Sequence, residues 1–548
     1  MFSVCQNIML VIKLRQMSKI VKYLNGYILG EVSARESRLK QFSTDRSILK
    51  IEPNIVVYPR ILDDVRKIMR FSCQLAEKKH IFGVTMRGFG GSTDGSSIGD
   101  GIVVDLSRHL DAIQELDLKN KTVKVQAGAN FSKMNLTIGA HAMNIPQSPA
   151  GEMLTIGGAI SMNLPSQKFN HGDLLDATRE LYIVLSNGDL ITTSRISRRE
   201  LNEKLAQQDF EGDIYRGIDA LIEDNWSKIQ QMEDDSSSGY SGITKVKKAD
   251  GSFDLTPLFF GSLGTLGAVV EVTLNTEYIV DETEFAVVSF ENRDDARDYI
   301  DIIKHFNPDI VELFDGKMFD LAVASGKKYQ FYLDRVEQKL TTKIVLVIGI
   351  TERNQRKINS VMRKIEKASR KFEGSTFWRD DSSDSQKAEI EAIRDVREAL
   401  RARAGVIREE IFPIQGIYIP LERFEQFYIG LQKLAQKFNI PAPIQGSALT
   451  SIFEILAEFD FAKVSDRRKS LEFLSGLNML LATVDGELGY GAGEGRLYGE
   501  FVSKNTDIEV QEIYAKIKQI FDPLGILNPG VKSQNDVKEL MKIIRNGK

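Results

Sequence analysis

The residues with the clearest chemical potential are Arg87-Gly88-Phe89-Gly90-Gly91-Ser92-Thr93-Asp94-Gly95, followed by Ser96-Ser97-Ile98-Gly99-Asp100-Gly101. Glycines lack Cβ atoms, so such a stretch takes positive φ readily and lets main-chain N–H groups close on an anion. Ser92 and Thr93 add hydroxyl donors and Arg87 adds a charge, which together read as a phosphate cradle. A Rossmann fingerprint is excluded, because it needs G-x-G-x-x-G followed directly by a helix. Thr93 occupies the place of the third glycine, and the apolar run Ile102-Val103-Val104-Asp105 that follows reads as a strand.

Three further small-residue stretches have related character. Pro149, Gly151, Thr155-Ile156-Gly157-Gly158, Ser161, Asn163 and Gly172 form one loose group, with His171 beside Gly172. Gly261-Ser262-Leu263-Gly264-Thr265-Leu266-Gly267 leads into a strand carrying Val269 and Val270, and Gly489–Arg496 forms the last cluster. A hydrogen bond to a charged group contributes ~1.5–3 kcal/mol, whereas nanomolar retention of a nucleotide takes roughly 12 kcal/mol. Several converging loops meet that demand where one does not. Loops flanked by strands in one region suit a long dinucleotide bound in extended form.

Composition narrows the classes. The 548 residues suffice for two or three domains, and 42% hydrophobic with 27% charged residues is globular usage. A net charge of −4 gives no nucleic-acid footprint. Two cysteines, Cys5 and Cys73, exclude a disulfide framework and point to a reducing, cytoplasmic setting or one peripheral to a membrane. Five histidines are scattered singly, so a histidine-built metal centre is not expected. The patch Ile8–Ile12 is too short to span a bilayer, and Met17 is an alternative start to Met1.

Positioning such loops requires strands and helices around them. Ile55–Tyr58 reads as a strand, Leu62–Lys79 as a helix with apolar residues at helical spacing, and Phe82–Met86 as the strand entering the first loop. Hairpins are expected at Ile113–Ala127 and Leu181–Thr193, with a short helix from Phe131 to Ala140 between them. From about Thr276 strand candidates (Glu284–Phe290, Lys343–Ile350) alternate with charged helices (Asp294–His305, Arg356–Lys371), which reads as a second α+β domain. A last helix, Val510–Ile520, meets Phe521-Asp522-Pro523-Leu524-Gly525-Ile526-Leu527-Asn528-Pro529-Gly530.

Taken in order, these pieces resemble the vanillyl-alcohol-oxidase/p-cresol-methylhydroxylase (PCMH) superfamily, nearest its branch of D-lactate, glycolate and other D-2-hydroxyacid dehydrogenases. The likeness rests on Asp45–Ser47, the Arg87–Asp105 loop, Thr155–Gly158, Gly261–Gly267, and the terminal F-D-P and I-L-N-P-G pieces. It implies an α+β fold. A two-subdomain PCMH-type FAD-binding domain would occupy residues 46–275 after a helical segment 1–45. An α+β cap (substrate) domain would fill 276–505, and a C-terminal segment, 506–548, would return to the FAD domain. The first loop would bind the pyrophosphate, while Thr155–Gly158 and Gly267–Val270 would line the adenosine end; Asn528 completes the implied cofactor set. Relatives that attach the flavin covalently through this loop carry histidine at the position of Gly91, so noncovalent FAD is expected.

The chain departs from that branch in the cap. The branch holds a divalent metal through a G-H-x-G-D-G-N-x-H segment and a later E-H-G. The matching stretches here, Gln445–Ser451 and Gly491-Ala492-Gly493, contain no histidine, so no metal is expected. Glu494 and Arg496 are the candidates for proton handling and anion contact, and Arg397 and Tyr418 for substrate binding; Arg397 also suits a solvated helical face. The expected reaction moves a hydride from a carbon bearing a hydroxyl to FAD, the partner being a small 2-hydroxy acid. A sugar or polyol oxidoreductase and a flavin-binding subunit without turnover are the alternatives. The electron acceptor is left open.

Overall fold

The structure is a computed structural model that describes residues 17–149, 154–232, 238–279, 282–379, 384–406, 410–491, 493–533 and 536–547. The patch at Ile8–Ile12, the choice between Met1 and Met17, and Gly151 fall outside the described residues. The chain forms two compact units. One takes the chain up to Pro165, then Asp173–Glu277 and Gly491–Ile543; the other takes Ser166–Gly172, Tyr278–Tyr490 and the last five residues. The sequence reading sets its divisions at 275/276 and 505/506.

In the first unit a four-stranded sheet has the order β1-β2-β4-β3, with β1 (Glu31–Ser33), β2 (Ile55–Tyr58), β3 (Val84–Arg87) and β4 (Ile102–Asp105). β2, β4 and β3 run parallel, and β1 closes the edge antiparallel. β2 and β4 are buried along their whole length, which is why they read as unbroken Ile-Val-Val runs rather than alternating ones. The helix Leu62–Glu77 makes the crossover from β2 to β3 and buries Val65, Ile68 and Met69, one stripe of a helix.

A second, antiparallel sheet has the order β5-β6-β10-β8-β9. It comprises β5 (Ile113–Asp117), β6 (Thr122–Gln126), β8 (Thr178–Val184), β9 (Leu190–Thr193) and β10 (Ala268–Asn275), while β7 (Met143–Asn144) is a two-residue strand outside it. Both expected hairpins form. One continuous apolar core joins the two sheets, running from Val57 and Val104 through Val123 and Ile183 to Val272. The C-terminal helix Ile508–Phe521 adds Ile513, Ile517 and Phe521 to it. The C-terminal segment thus returns to this domain, as the sequence resemblance implies.

After β11 (Glu277–Tyr278), the second unit is built on an eight-stranded sheet of order β15-β12-β14-β13-β17-β18-β16-β19. Its strands are β12 (Glu282–Phe290), β13 (Ile310–Asp315), β14 (Ile344–Glu352), β15 (Thr376–Arg379), β16 (Glu410–Tyr418), β17 (Ile444–Ser447), β18 (Ile452–Phe459) and β19 (Glu487–Leu488). One face sets Val287, Phe314, Val345, Val347 and Leu456 against the helices Gly316–Ala324, Asp384–Arg394 and Val396–Val406. Phe290 lies an odd number of residues from Val287, so it faces the opposite side and meets Tyr299 at 5.1 Å between centroids.

Arg335 is fully buried in this unit. Its guanidinium donates to the carbonyls of Ser289 (3.2 Å), Gly374 (3.0 Å) and Thr341, and to the hydroxyls of Thr376 (2.9 Å) and Thr342 (3.1 Å). One side chain therefore satisfies the main chain where three segments end beside each other. Replacing it by methionine keeps the volume but strands those carbonyls, each at roughly 1–3 kcal/mol. Arg335→Met is expected to lower the urea midpoint by an amount equivalent to about 3 kcal/mol, with Arg335→Lys recovering part of the loss.

Candidate functional site

The first glycine-rich loop leaves β3 and returns into β4, so its two ends are pinned at adjacent parallel strands. Gly90 and Gly95 have φ of +70° and +79°. A Cβ on Gly90 would come within 2.2 Å of Arg87 Nη2, and one on Gly95 within 2.7 Å of Leu49 Cδ1. Arg87 explains the first clash, because its side chain folds beneath the loop. It donates to the carbonyls of Thr44 (2.9 Å) and Ser97 (3.2 Å), and its guanidinium lies 5.1 Å from the Phe42 ring centroid. The side chain expected to face an anion thus bonds main-chain carbonyls of the loop and of the segment before β2. The loop's outer part is open: Gly88, Phe89 and Gly90 are half-buried and Gly91 is exposed. Among the described residues, none of these four main-chain N–H groups has a protein acceptor.

The second stretch forms a helix, Ile156–Met162, where sequence reading sees a small-residue loop. Thr155 caps it, accepting from the Gly158 N–H at 3.1 Å, and Asn163 ends it in the left-handed region at φ +52°. Its glycines serve close packing: a Cβ on Gly157 would lie 2.9 Å from the Ala127 Cβ. A Cβ on Gly88 would lie 2.4 Å from Thr155 Oγ1, so the first loop and this helix touch. The third stretch bonds to the same helix, with the N–H groups of Gly261 and Leu263 donating to the carbonyls of Ile160 (3.1 Å) and Ser161 (2.9 Å). Gly267 packs on Ile183, while Val269 and Val270 are buried in β10; Pro149 is buried as well. Gly172 closes the Ser166–Gly172 excursion, which belongs to the second unit.

Asn528 ties these pieces together. Its Nδ2 donates to the carbonyls of Ser96 and Leu263, both at 2.8 Å, and its Oδ1 accepts from Thr85 Oγ1 at 2.9 Å. Its own N–H donates to Val84 O at 2.9 Å. Asp522 shapes the turn that delivers it, accepting from the N–H groups of Ile526 and Leu527. Residues 493–497 hold the far end of the first loop. Arg496 donates twice to Ile98 O (2.9 and 3.1 Å), and the N–H groups of Arg496 and Leu497 donate to Asp94 O. Glu494 Oε1 accepts from Lys532 Nζ (2.7 Å) and from the Gly239 N–H (2.6 Å), a pair buried on both sides. Sequence reasoning singles out Asn528, Glu494 and Arg496 for cofactor and substrate roles, but not Lys532 and Thr85, which flank two of the motifs.

Two carboxyls lie beneath the loop. Burial pushes Asp45 up to about 6, with Asp94 adding to the shift and the Ser47 hydrogen bonds and Arg87 opposing it. Asp94 is likewise raised by burial, against hydrogen bonds from Ser92 and Ser96, and its Oδ2 has no partner.

In the second unit, three arginines reach one face of the large sheet. Arg394 makes a bidentate pair with Glu312 at 2.7 Å, and Arg403 pairs with Glu458. Arg397 Nη1 donates to Glu454 Oε2 at 3.2 Å. Nearby Glu454 holds the Arg397 charge firmly, raising its pKa against the effect of burial. Glu454 also accepts from Gln415 Nε2 and Gln445 Nε2, each at 3.0 Å. Tyr418 stacks on Tyr490 at 5.2 Å between centroids, at the end of β16. The structure thus brings Arg397 together with two glutamines, on β16 and β17, that sequence reading does not choose.

A unit of two α+β subdomains with converging glycine loops, joined in the chain to an antiparallel-sheet unit, fits a nucleotide-cofactor-binding class. The sequence matches the FAD binding domain family over residues 53–194 and the C-terminal domain of FAD linked oxidases over residues 280–531. The chain belongs to these FAD-linked oxidases. It is 24% identical over 524 residues to D-2-hydroxyglutarate dehydrogenase of Haemophilus influenzae, covering 91% of this chain and 50% of that protein. It is 24% identical over 488 residues to the mitochondrial D-lactate dehydrogenase (cytochrome) of Arabidopsis thaliana, covering 87% and 73%. The chain spans half or less of the length of the D-2-hydroxyglutarate dehydrogenases it matches. In fold it is similar to 4-ethylphenol oxidase from Gulosibacter chungangensis, with a TM-score of 0.70 at 14% identity, covering 96% of this chain and 98% of that one. No helix among the described residues is long and apolar enough to cross a membrane.

Two outcomes follow. Asn528→Ala loses three side-chain hydrogen bonds and keeps a left-handed backbone at φ +43°, so a loss of about 3 kcal/mol is expected in equilibrium unfolding. Asn528→Gly relieves the backbone only and should recover a minor part. For Asp45, a folded value of about 6 against an unfolded value near 3.8 means the folded state keeps a proton that the unfolded state has released. Stability therefore falls as pH rises from about 4 to about 6 and is flat beyond. Asp45→Asn should reduce that slope, leaving the part due to Asp94, with a gain of about 1–3 kcal/mol at neutral pH, measured by denaturation at stepped pH.

Proposed function

We propose that this protein is an FAD-dependent dehydrogenase that oxidises a small 2-hydroxy acid at its CH–OH carbon, with the flavin held noncovalently. The observation that carries this reading is the meeting of the first loop, the Gly261–Gly267 stretch and the C-terminal return on Asn528. That arrangement leaves the main-chain donors of Gly88–Gly91 unclaimed by protein among the described residues. Such a donor set fits the diphosphate of FAD. Gly91, where covalent relatives carry histidine, supports the noncovalent form. When bound, FAD supplies the acceptor for the two electrons leaving the substrate carbon.

The chain's own residues would do the following. Gly88–Gly91 hold the diphosphate through main-chain N–H groups, and Arg87 and Asn528 keep the loop in shape from beneath. Glu494 and Arg496, proposed from the sequence for proton handling and anion contact, are best supported as positioning residues. Their side chains engage Lys532, the Gly239 N–H and the Ile98 carbonyl. Arg397 takes the substrate carboxylate, and Tyr418 lends an aromatic surface at the end of the same sheet. The names of the relatives, dehydrogenases of D-2-hydroxyglutarate and D-lactate, support this substrate class.

The purified protein should be yellow, and acid precipitation should leave all the flavin in the supernatant. Anaerobic mixing with D-lactate, glycolate, D-2-hydroxyglutarate and a set of sugar alcohols should bleach the flavin band with a hydroxy acid. Bleaching by a polyol alone would move the substrate class, and a colourless protein that takes up no FAD would end the proposal. Gly88→Ala places a methyl against Thr155 and should weaken FAD retention about tenfold or more, read by ultrafiltration and flavin fluorescence.

A further inference from the structure

The cap sheet carries a carboxylate whose surroundings have the wrong polarity for a metal. A cation site gathers acceptors, namely carboxylate oxygens and imidazole nitrogens. Around Glu454 the protein gathers donors: Arg397 Nη1 at 3.2 Å, Gln415 Nε2 at 3.0 Å and Gln445 Nε2 at 3.0 Å. Among the described residues no group of histidine, cysteine and acidic side chains is arranged to hold an ion. Gln445, which opens the stretch matching the branch's metal segment, thus belongs to a donor set whose chemistry does not fit a metal.

The same network leaves two groups with unused capacity. Arg397 makes a single side-chain hydrogen bond among the described residues, through Nη1, and Glu398 lies 3.6 Å from its Nε, beyond hydrogen-bond range. Its Nε–Nη2 edge is the one that matches a carboxylate bidentately. Gln445 spends its Nε2 on Glu454, and its Oε1 is buried with no partner among the described residues. Both side chains bond the same oxygen, Glu454 Oε2, so the guanidinium and the amide meet there. Of the neighbouring arginines, Arg394 is taken up bidentately by Glu312, and Arg403 spends its Nη2 on both oxygens of Glu458.

We propose that this cluster is a metal-free recognition site for a 2-hydroxycarboxylate. Arg397 receives the carboxylate on its Nε–Nη2 edge, Gln445 Oε1 accepts the hydrogen bond of the 2-hydroxyl, and Glu454 braces both. The proposal rests on the substrate class given above and adds the residues that select it. It separates the hydroxy acid from a plain carboxylate, which satisfies Arg397 but leaves Gln445 unmatched.

The test uses the full-length flavin-loaded protein. Elemental analysis should find no stoichiometric metal, and Mn²⁺ or Zn²⁺ should leave the melting temperature unmoved. Oxalate, a carboxylate without a hydroxyl hydrogen, should raise the melting temperature of the parent and of Gln445→Leu but not of Arg397→Met. Gln445→Leu should raise KM for D-lactate or D-2-hydroxyglutarate about ten- to a hundredfold with a much smaller change in kcat. An unchanged flavin spectrum reports that each variant is folded, and Arg397→Lys, which keeps the charge but loses the fork, stands in if Arg397→Met does not fold. One equivalent of metal removable by a chelator, oxalate stabilisation surviving in both Arg397 variants, or an unchanged KM in Gln445→Leu would overturn it. A colourless protein still stabilised by oxalate through Arg397 would sink the flavin reading and leave this site standing.

Discussion

The first unit depends on one side chain with donors on one side and an acceptor on the other. Asn528 bonds two carbonyls, Ser96 O and Leu263 O, that lie 432 and 265 residues away in the chain, and takes a hydroxyl hydrogen from Thr85. Aspartate has no hydrogens to give those carbonyls, and leucine has neither function. The residue also sits at φ +43°, a conformation asparagine tolerates better than most residues. In a buried, low-dielectric setting an unmatched carbonyl is costly, so the three bonds fix where loops from distant parts of the chain end. The glycine-rich loop keeps its outer N–H groups open because its inner surface is already satisfied by Arg87 and Asn528.

That arrangement explains why so much charge is buried under a loop whose outer edge is neutral main chain. Arg87, Asp45, Asp94 and Arg496 are all nearly inaccessible, and the Lys532–Glu494 pair is buried on both sides. Buried pairs recover little net stability, because desolvation offsets their attraction. They do discriminate among arrangements. A C-terminal return displaced by one residue would leave Lys532 and Glu494 uncompensated, and Arg496 would lose Ile98 O. The charges therefore set the register of the return against the loop, while the apolar residues Ile513, Ile517 and Phe521 supply the burial that holds it there.

Much of this was legible before any coordinates, because local chemistry carried it. The β2–helix–β3 order, both hairpins and the helix ending in Phe521 follow from side-chain period and turn residues. The glycine stretches stood out because glycine is costly unless a special backbone is needed, and Asn528 because it lies in the I-L-N-P-G piece that carries the family resemblance. What stayed hidden depends on non-local partners. Thr155–Gly158 reads as a loop because glycines weaken a helix, yet the Thr155 cap and the close approach to Ala127 make a helix there. Arg87 looks like a charge for a ligand until Thr44 and Ser97 are seen to take it. Gln415 and Gln445 are ordinary strand residues in sequence and become notable only when β16, β17 and β18 set them around Glu454.

The polarity of that last cluster constrains the chemistry further. A metal-bound hydroxyl is acidified, so the ion itself lowers the demand on a base. A guanidinium at the carboxylate and an amide oxygen at the hydroxyl orient the substrate but do not acidify it comparably, and an amide oxygen cannot retain a proton at neutral pH. In the proposed binding mode Gln445 aligns the O–H and leaves the proton to a separate group. Glu454 is unsuited to that task, since three donors already occupy its oxygens. In that proposed mode recognition and proton removal are divided between different residues, and the weight falls on orientation. A rigid network is what such a division requires: Glu454 fixes Arg397 and Gln445 through one shared oxygen, so that neither can adjust without the other.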